Sequence, residues 1–241
     1  MRKRFQQFIS DTSLLLRSIP SPVVTCFVLS VVLMNLLANK TIYQKGFFAV
    51  DGGIVVSWAC FLCMDIITKH FGASAATRVS IFALAVNLFC VGIFAVVSII
   101  PTETDYSAFN GIFGGSWFIV MSSSLAFLAS AVANNALNAT IGRMFRANPD
   151  SRAAYYTRSY VSTFIGQFVD NMVFASLVFM LFAPIYWGGF SWTLPQCVTC
   201  SLIGAFLELV MEVVFSPIGY GVTRRWRQLD VGGAYLASHA A

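Results

Sequence analysis

Charge is scarce in this chain: lysine, arginine, aspartate and glutamate together make up 10% of its 241 residues, where a soluble domain carries about 25%. Hydrophobic residues reach 58% and the mean hydropathy is +0.76, which excludes an ordinary water-soluble domain and points to a polytopic membrane protein. Histidine is scarcer still. Only His70 and His239 occur, one at a helix rim and one near the C-terminal end, so a histidine-based metal centre or catalytic triad has nothing to be built from. The motifs GxxxxGK(S/T), GxGxxG, HExxH and GxSxG are all missing, so the chain is not expected to use a nucleotide itself or to be an enzyme. No cofactor and no metal are expected.

Long apolar runs are abundant. About 20 residues of helix cross the ~30 Å hydrocarbon layer, and six such runs predict helices over residues 23–38, 53–71, 79–100, 117–141, 160–187 and 196–223. The fold class is therefore all-α, a six-helix transmembrane bundle. Twenty-three Phe and seventeen Gly suit lipid-facing surface and close helix packing. The first run is short, and Asp51-Gly52-Gly53 before the second predicts that residues 47–53 form an outer loop or a re-entrant stretch. Three helices plus three helices imply two inverted halves, with Asp65 and Asp170 each in the middle helix of its half.

Thirteen basic residues fall on one side of these spans. They are Arg2, Lys3, Arg4 and Arg17, then Lys69 and Arg78, then Arg143, Arg146, Arg152 and Arg158, and finally Arg224, Arg225 and Arg227; only Lys40 and Lys45 fall on the other. Cytoplasmic loops carry such an excess, so both termini are expected inside a plasma or inner membrane. The net charge of +5 then reflects topology, and no nucleic-acid partner is expected. Residues 1–22 read as an amphipathic cytoplasmic segment lying on the lipid surface and ended by Pro20-Ser21-Pro22, with no cleaved signal peptide. Residues 23–223 form the membrane domain, and residues 224–241 a cytoplasmic tail.

Within the apolar spans stand Asp65, Asp170, Glu208 and Glu212. A charge at the bilayer centre costs between ~2.5 and ~17 kcal/mol, so such acids face a bundle interior, a cavity or a ligand. Glu208 and Glu212 are one helical turn apart and share a face, the spacing of a proton or cation site; neutral acids hydrogen-bonded to neighbouring helices are the alternative. Asp170 lies within a turn of Gln167 and beside Asn171, with Ser162 and Thr163 below. Asn134 and Asn138 share a face of the fourth helix, as interhelical glue or as ligand contacts. Asp65 stands four residues before Lys69 and two turns after Trp58, which fits either a rim salt bridge or a ligand carboxylate. The pairs Cys60/Cys63 and Cys197/Cys200 imitate a metal motif, but they fall at different depths, and small apolar packing is the better reading.

Three stretches carry a resemblance. They are ACFLCMDIITKHFGASAATR at 59–78, RSYVSTFIGQFVDNMVFASLVF at 158–179 and FSPIGY at 215–220. Together the chain resembles the queuosine precursor transporters, the YhhQ-type or vitamin-uptake-transporter-like family. That resemblance implies import of a 7-deazaguanine such as preQ0, preQ1 or queuine for tRNA modification. It also implies that Asp65 and Asp170 sit at the family's acidic positions, with Ser162, Gln167 and Pro217 in matching stretches. The chain departs from the family where Glu208 stands near a common lysine and Asn134 replaces a common aspartate. The expected binding set is Asp65, Asp170, Gln167, Glu208, Glu212, Asn134, Trp58 and Ser162. The guanine edge suits it, because N1–H and the exocyclic amine form a donor pair that one carboxylate accepts while aromatic rings stack on the base. The alternative is the substrate-binding subunit of an energy-coupling-factor type vitamin importer; a partner that supplies energy, or a second copy, stays open.

Overall fold

The structure, a computed structural model, describes residues 2–144 and 161–238. Arg146, Arg152, Arg158, Tyr160 and His239, to which the charge and span arguments appeal, lie outside the described residues. The chain is an all-α polytopic membrane protein. Its helices include α2 (Ser21–Leu37), α3 (Ile54–Phe71), α4 (Ala73–Ser98), α6 (Trp117–Met144), α7 (Ser162–Ala175) and α9 (Leu194–Gln228). Further helices are α1 (Arg2–Ser18), α5 (Ser107–Phe113), α8 (Ala183–Tyr186) and α10 (Gly233–Ser238).

Five helical stretches are long and apolar enough to cross a membrane, and a sixth arises if α1 and α2 count as one broken span. The break between them bends by 111°. Pro20 and Pro22 explain it, since a proline lacks the N–H of an internal turn and is at home in the first turn of a new helix. With 17 residues, α2 rises only about 25 Å, so the first span is as short as its sequence suggests. The last helix, in contrast, runs for 35 residues, well past the ~20 that hydrocarbon requires.

The chain divides into two compact units that do not follow the sequence halves. The first comprises Met1–Leu33, Val56–Asn87 and Met211–Ala241. Its core joins Leu15 and Ile19 to Phe27, Cys60, Cys63, Ile67, Phe71, Val79, Trp226 and Tyr235. Residues of α1 and α10 thus share one core. The His70 ring lies edge-on to Phe71 and Trp226, and its Nε2 is 2.9 Å from the carbonyl of Val231. Arg78 pairs with Asp11 at 3.3 Å, which ties α4 to α1.

The second unit comprises Met34–Val55 and Leu88–Val210. Residues 47–53, predicted as an outer loop or re-entrant stretch, belong to an antiparallel hairpin of β1 (Thr41–Lys45) and β2 (Phe48–Asp51). Gly46, at φ 58°, supplies the left-handed residue that the turn requires. Gln196 donates from Nε2 to the Gly46 carbonyl at 2.9 Å, and Thr199 donates to the carbonyl of Phe47, so the turn is pinned to the start of α9. At the other end a side chain on Gly52 would meet the Leu37 carbonyl at 2.6 Å; only glycine lets the hairpin lie this close to α2.

Aromatic rings fill the core of this unit. Phe179 stacks on Trp192 with centroids 3.8 Å apart, and Phe118 stacks on Phe182 and Tyr186. Between α7 and α8 the helix widens into a π-helical stretch, Ser176–Phe182. Pro184, just beyond, has no N–H to return to the preceding turn. The Phe179 carbonyl accepts instead from the backbone N–H of Trp192 at 3.1 Å, which locks the loop after α8 onto the helix. A hydroxyl of α6, Ser130 Oγ, donates to the Gly166 carbonyl on α7 at 2.9 Å, a hydrogen bond between the two helices.

Trp192→Ala removes a large side chain that is 3% exposed, and should cost about 3 to 5 kcal/mol. Thermal unfolding of the purified protein in detergent would register it as a lower midpoint, while Trp58→Ala, at 38% exposure, should move the midpoint much less.

Candidate functional site

Asp65 and Trp58 belong to the first unit. Both lie on α3, and Asp65 accepts from Lys69 Nζ at 2.7 Å one turn later. The same carboxylate packs on the last helix at Gly219, where a β-carbon would lie 3.3 Å from Asp65 Oδ2. Pro217 sits inside that helix and deprives the preceding turn of one hydrogen bond. Trp58 stacks on Phe215, with centroids 5.2 Å apart at 21°. Two of the sequence stretches singled out above, 59–78 and 215–220, therefore meet here. Lys69 and Asp65 remain partly exposed, so the pair itself contributes little stability.

The second unit holds Asp170, Gln167 and Glu208. Asp170 and Gln167 are half-buried on α7, and Glu208, on α9, is 7% exposed. The groups facing Glu208 are the Asn171 amide and the carboxyls of Asp170 and Asp51. Glu208 Oε2 has no hydrogen-bond partner among the described residues, and neither has Asn171 Nδ2. Asn171 is pressed on α9 at Gly204, where a β-carbon would stand 2.7 Å from Asn171 Nδ2. Glycine at 204 is thus what lets the amide reach this depth.

Asp51 is the residue that sequence reasoning missed. It sits at the end of β2, accepts from the backbone N–H of Gly53 at 2.7 Å and from Cys200 Sγ at 3.7 Å. Burial pushes its carboxyl above the ordinary carboxylate range, partly offset by these donors. Its signal was present, an acid directly before a Gly-Gly pair at the mouth of a span, but only the hairpin carries it to α9. Cys200, read as packing, is both a core residue and the Asp51 donor. The two CxxC pairs fall in different units, and all six cysteines are free.

Asp65 and Trp58 lie in one unit, Asp170, Gln167 and Glu208 in the other. Asn134 lies on α6, Ser162 starts α7 and Glu212 follows Glu208 on α9; the side chains of these three lie outside the described residues. A cavity of about 410 Å³ opens in the second unit, lined among others by Asn39, Lys40, Tyr186, Trp187 and Phe190. Its size suits a small molecule, and its lining does not include Asp65, Trp58, Asp170, Gln167 or Glu208.

Gly204→Ala should destabilise by about 1 to 3 kcal/mol through overpacking against Asn171, whereas Gly221→Ala, with open space around it, should leave the thermal midpoint in place. Asp51 allows a test by pH. Its folded carboxyl titrates above 3.8, so the folded state keeps a proton that the unfolded state has already lost, and stability falls as pH rises through that interval. Asp51→Asn should flatten this decline, measured as midpoint against pH.

Residues 51–222 match the family described as Putative vitamin uptake transporter. The match covers α3 to most of α9 and includes Asp51, Asp65, Asp170 and Glu208. No curated protein and no solved structure matches the chain. On that match over most of its length, the chain belongs to this vitamin uptake transporter family and is a multi-pass membrane transporter of a vitamin-like small molecule.

Proposed function

We propose that the protein imports a queuosine precursor, a 7-deazaguanine such as preQ0, preQ1 or queuine, across the inner membrane with both termini in the cytoplasm. The observation that carries this reading is the Asp170 carboxyl beside Asn171 on α7, facing a buried acid on α9. A carboxylate accepts the N1–H and exocyclic amine of a guanine edge in parallel, and the neighbouring amide supplies both a donor and an acceptor for the adjoining carbonyl. Gln167, one turn away, adds a second carboxamide on the same helix. The outer cavity beside Lys40, with Tyr186, Trp187 and Phe190 on its wall, serves as the entrance, where aromatic rings offer stacking to a flat base. The thirteen-to-two distribution of basic residues supports the orientation. Asp65, paired with Lys69, is assigned to the opening and closing of the inner end.

Cells that cannot make queuosine test the substrate. Labelled preQ0, preQ1 and queuine should enter only when the protein is present, and queuosine should reappear in tRNA; no recovery with correctly inserted protein overturns the reading. Asp170→Asn should reduce uptake about tenfold or more, equivalent to ~1.4 kcal/mol or more of binding, and Asn138→Ala much less. Equal losses would remove Asp170 from the site. Co-purification of an ATPase that uptake requires would move the chain to the substrate-binding subunit of an energy-coupling-factor type importer.

A further inference from the structure

We propose that Glu208, buried on α9 with Asp170 as its acidic neighbour, is the proton-binding site whose loading from the outer side drives uptake. The proposal rests on the transport reading above and names its energy source. Cys200, Gly204 and Glu208 follow one another at spacing four on α9 and therefore share one face. Each of the three meets a polar group of a different kind. Cys200 donates to Asp51 on the hairpin, Gly204 admits the Asn171 amide, and Glu208 faces Asn171, Asp170 and Asp51. From Cys200 to Glu208 the face descends about 12 Å along the helix axis. It thus leads from the outer hairpin toward the middle of the membrane.

Three observations make this a proton site. Glu208 is more than nine-tenths buried, and its Oε2 has no hydrogen-bond partner among the described residues. No described cation is paired with it. Among the described residues the ion pairs are Lys69 with Asp65 and Arg78 with Asp11, both in the first unit, and every titratable group facing Glu208 is another acid. A buried carboxylate with only acids around it is too costly, so the group carries a proton. The donors are also too dispersed for a metal: no group of three His, Cys, Asp or Glu among the described residues is arranged to hold one.

Coupling follows from like-charge exclusion. Asp170 and Glu208 cannot both be anionic at close range in a dry site. Proton binding at Glu208 (carboxylate plus H⁺ gives carboxylic acid) leaves Asp170 free to be the anion that accepts the substrate's donor pair. Substrate and proton then favour each other's binding by the same factor. Release of the substrate inward returns the negative charge to a site that no longer needs it, and the proton leaves on the same side. One proton moves with one substrate molecule.

Purified protein in liposomes, with labelled preQ0, preQ1 and queuine tested in turn, decides the matter. With one proton per substrate, each unit of inside-alkaline pH gradient should raise accumulation about tenfold, a step of ~1.4 kcal/mol, and a protonophore should abolish it. In Glu208→Gln the ratio of accumulation with and without the gradient should fall to one, whatever the absolute rate, and Glu208→Asp should restore the dependence. A gradient response that survives Glu208→Gln, or wild-type accumulation driven by sodium and indifferent to pH, overturns the proposal. Wild-type protein that exchanges none of the three bases refutes the substrate reading instead. The proton site is then judged on wild-type protein alone by dicyclohexylcarbodiimide, which modifies protonated carboxyls in apolar surroundings. Labelling that mass spectrometry locates at Glu208 and that fades at alkaline pH supports it, and an unlabelled Glu208 overturns it.

Discussion

A carboxyl taken out of water must find a cation, a set of donors or a proton, and the acids of this chain are sorted by which of these they have. Asp65 and Asp11, in the first unit, have Lys69 and Arg78. Asp51 has the Gly53 amide and the Cys200 thiol, and Glu208 has an oxygen with no partner among the described residues. The cost of burial therefore falls most heavily on Glu208, which takes part in neither of the ion pairs among the described residues. Polar groups inside a membrane protein carry function for this reason: they are too expensive to keep otherwise.

Close backbone approach is what brings these acids near one another. Gly52 and Gly53 let the hairpin lie against the end of α2, Gln196 and Thr199 hold its turn to α9, and Asp51 is thereby delivered to Cys200. Gly204 does the same for Asn171. The π-helical turn after α7 belongs to the same economy of space. Pro184 removes a donor, the Phe179 carbonyl turns to Trp192, and the aromatic core closes around the result. Without water to satisfy stray backbone groups, each of these substitutions of one hydrogen bond for another is obligatory.

The acids fall in two places in the chain's packing, and each place has its own partners. The pair on α3 joins the end of the last helix through Gly219, beside Pro217, where a helix already lacks one hydrogen bond. The cluster in the second unit combines carboxyl and amide groups, Asp170 and Asn171 on α7 with Glu208 on α9. Of the two glutamates that the four-residue spacing links, the structure supplies Glu208 with its own acidic neighbours on other elements.

Much of the architecture was legible in the residues alone. Apolar runs of about 20 residues in a chain with 10% charge leave no alternative to membrane helices, because the period and the length follow from hydrocarbon thickness. The Asp65–Lys69 pair was legible too, since spacing four on one helix brings the groups together. What the residues could not reveal depends on contacts between elements distant in the chain. Whether 47–53 forms a loop or a strand, and that Asp51 reaches Cys200 149 positions away, is decided by hairpin pairing and by glycines whose only role is to be small. The same is true of the division that sets Asp65 in one unit and Asp170 with Glu208 in the other. Local periodicity determines which segments are helices; which acids become neighbours is a matter of packing, and packing is a property of the fold as a whole.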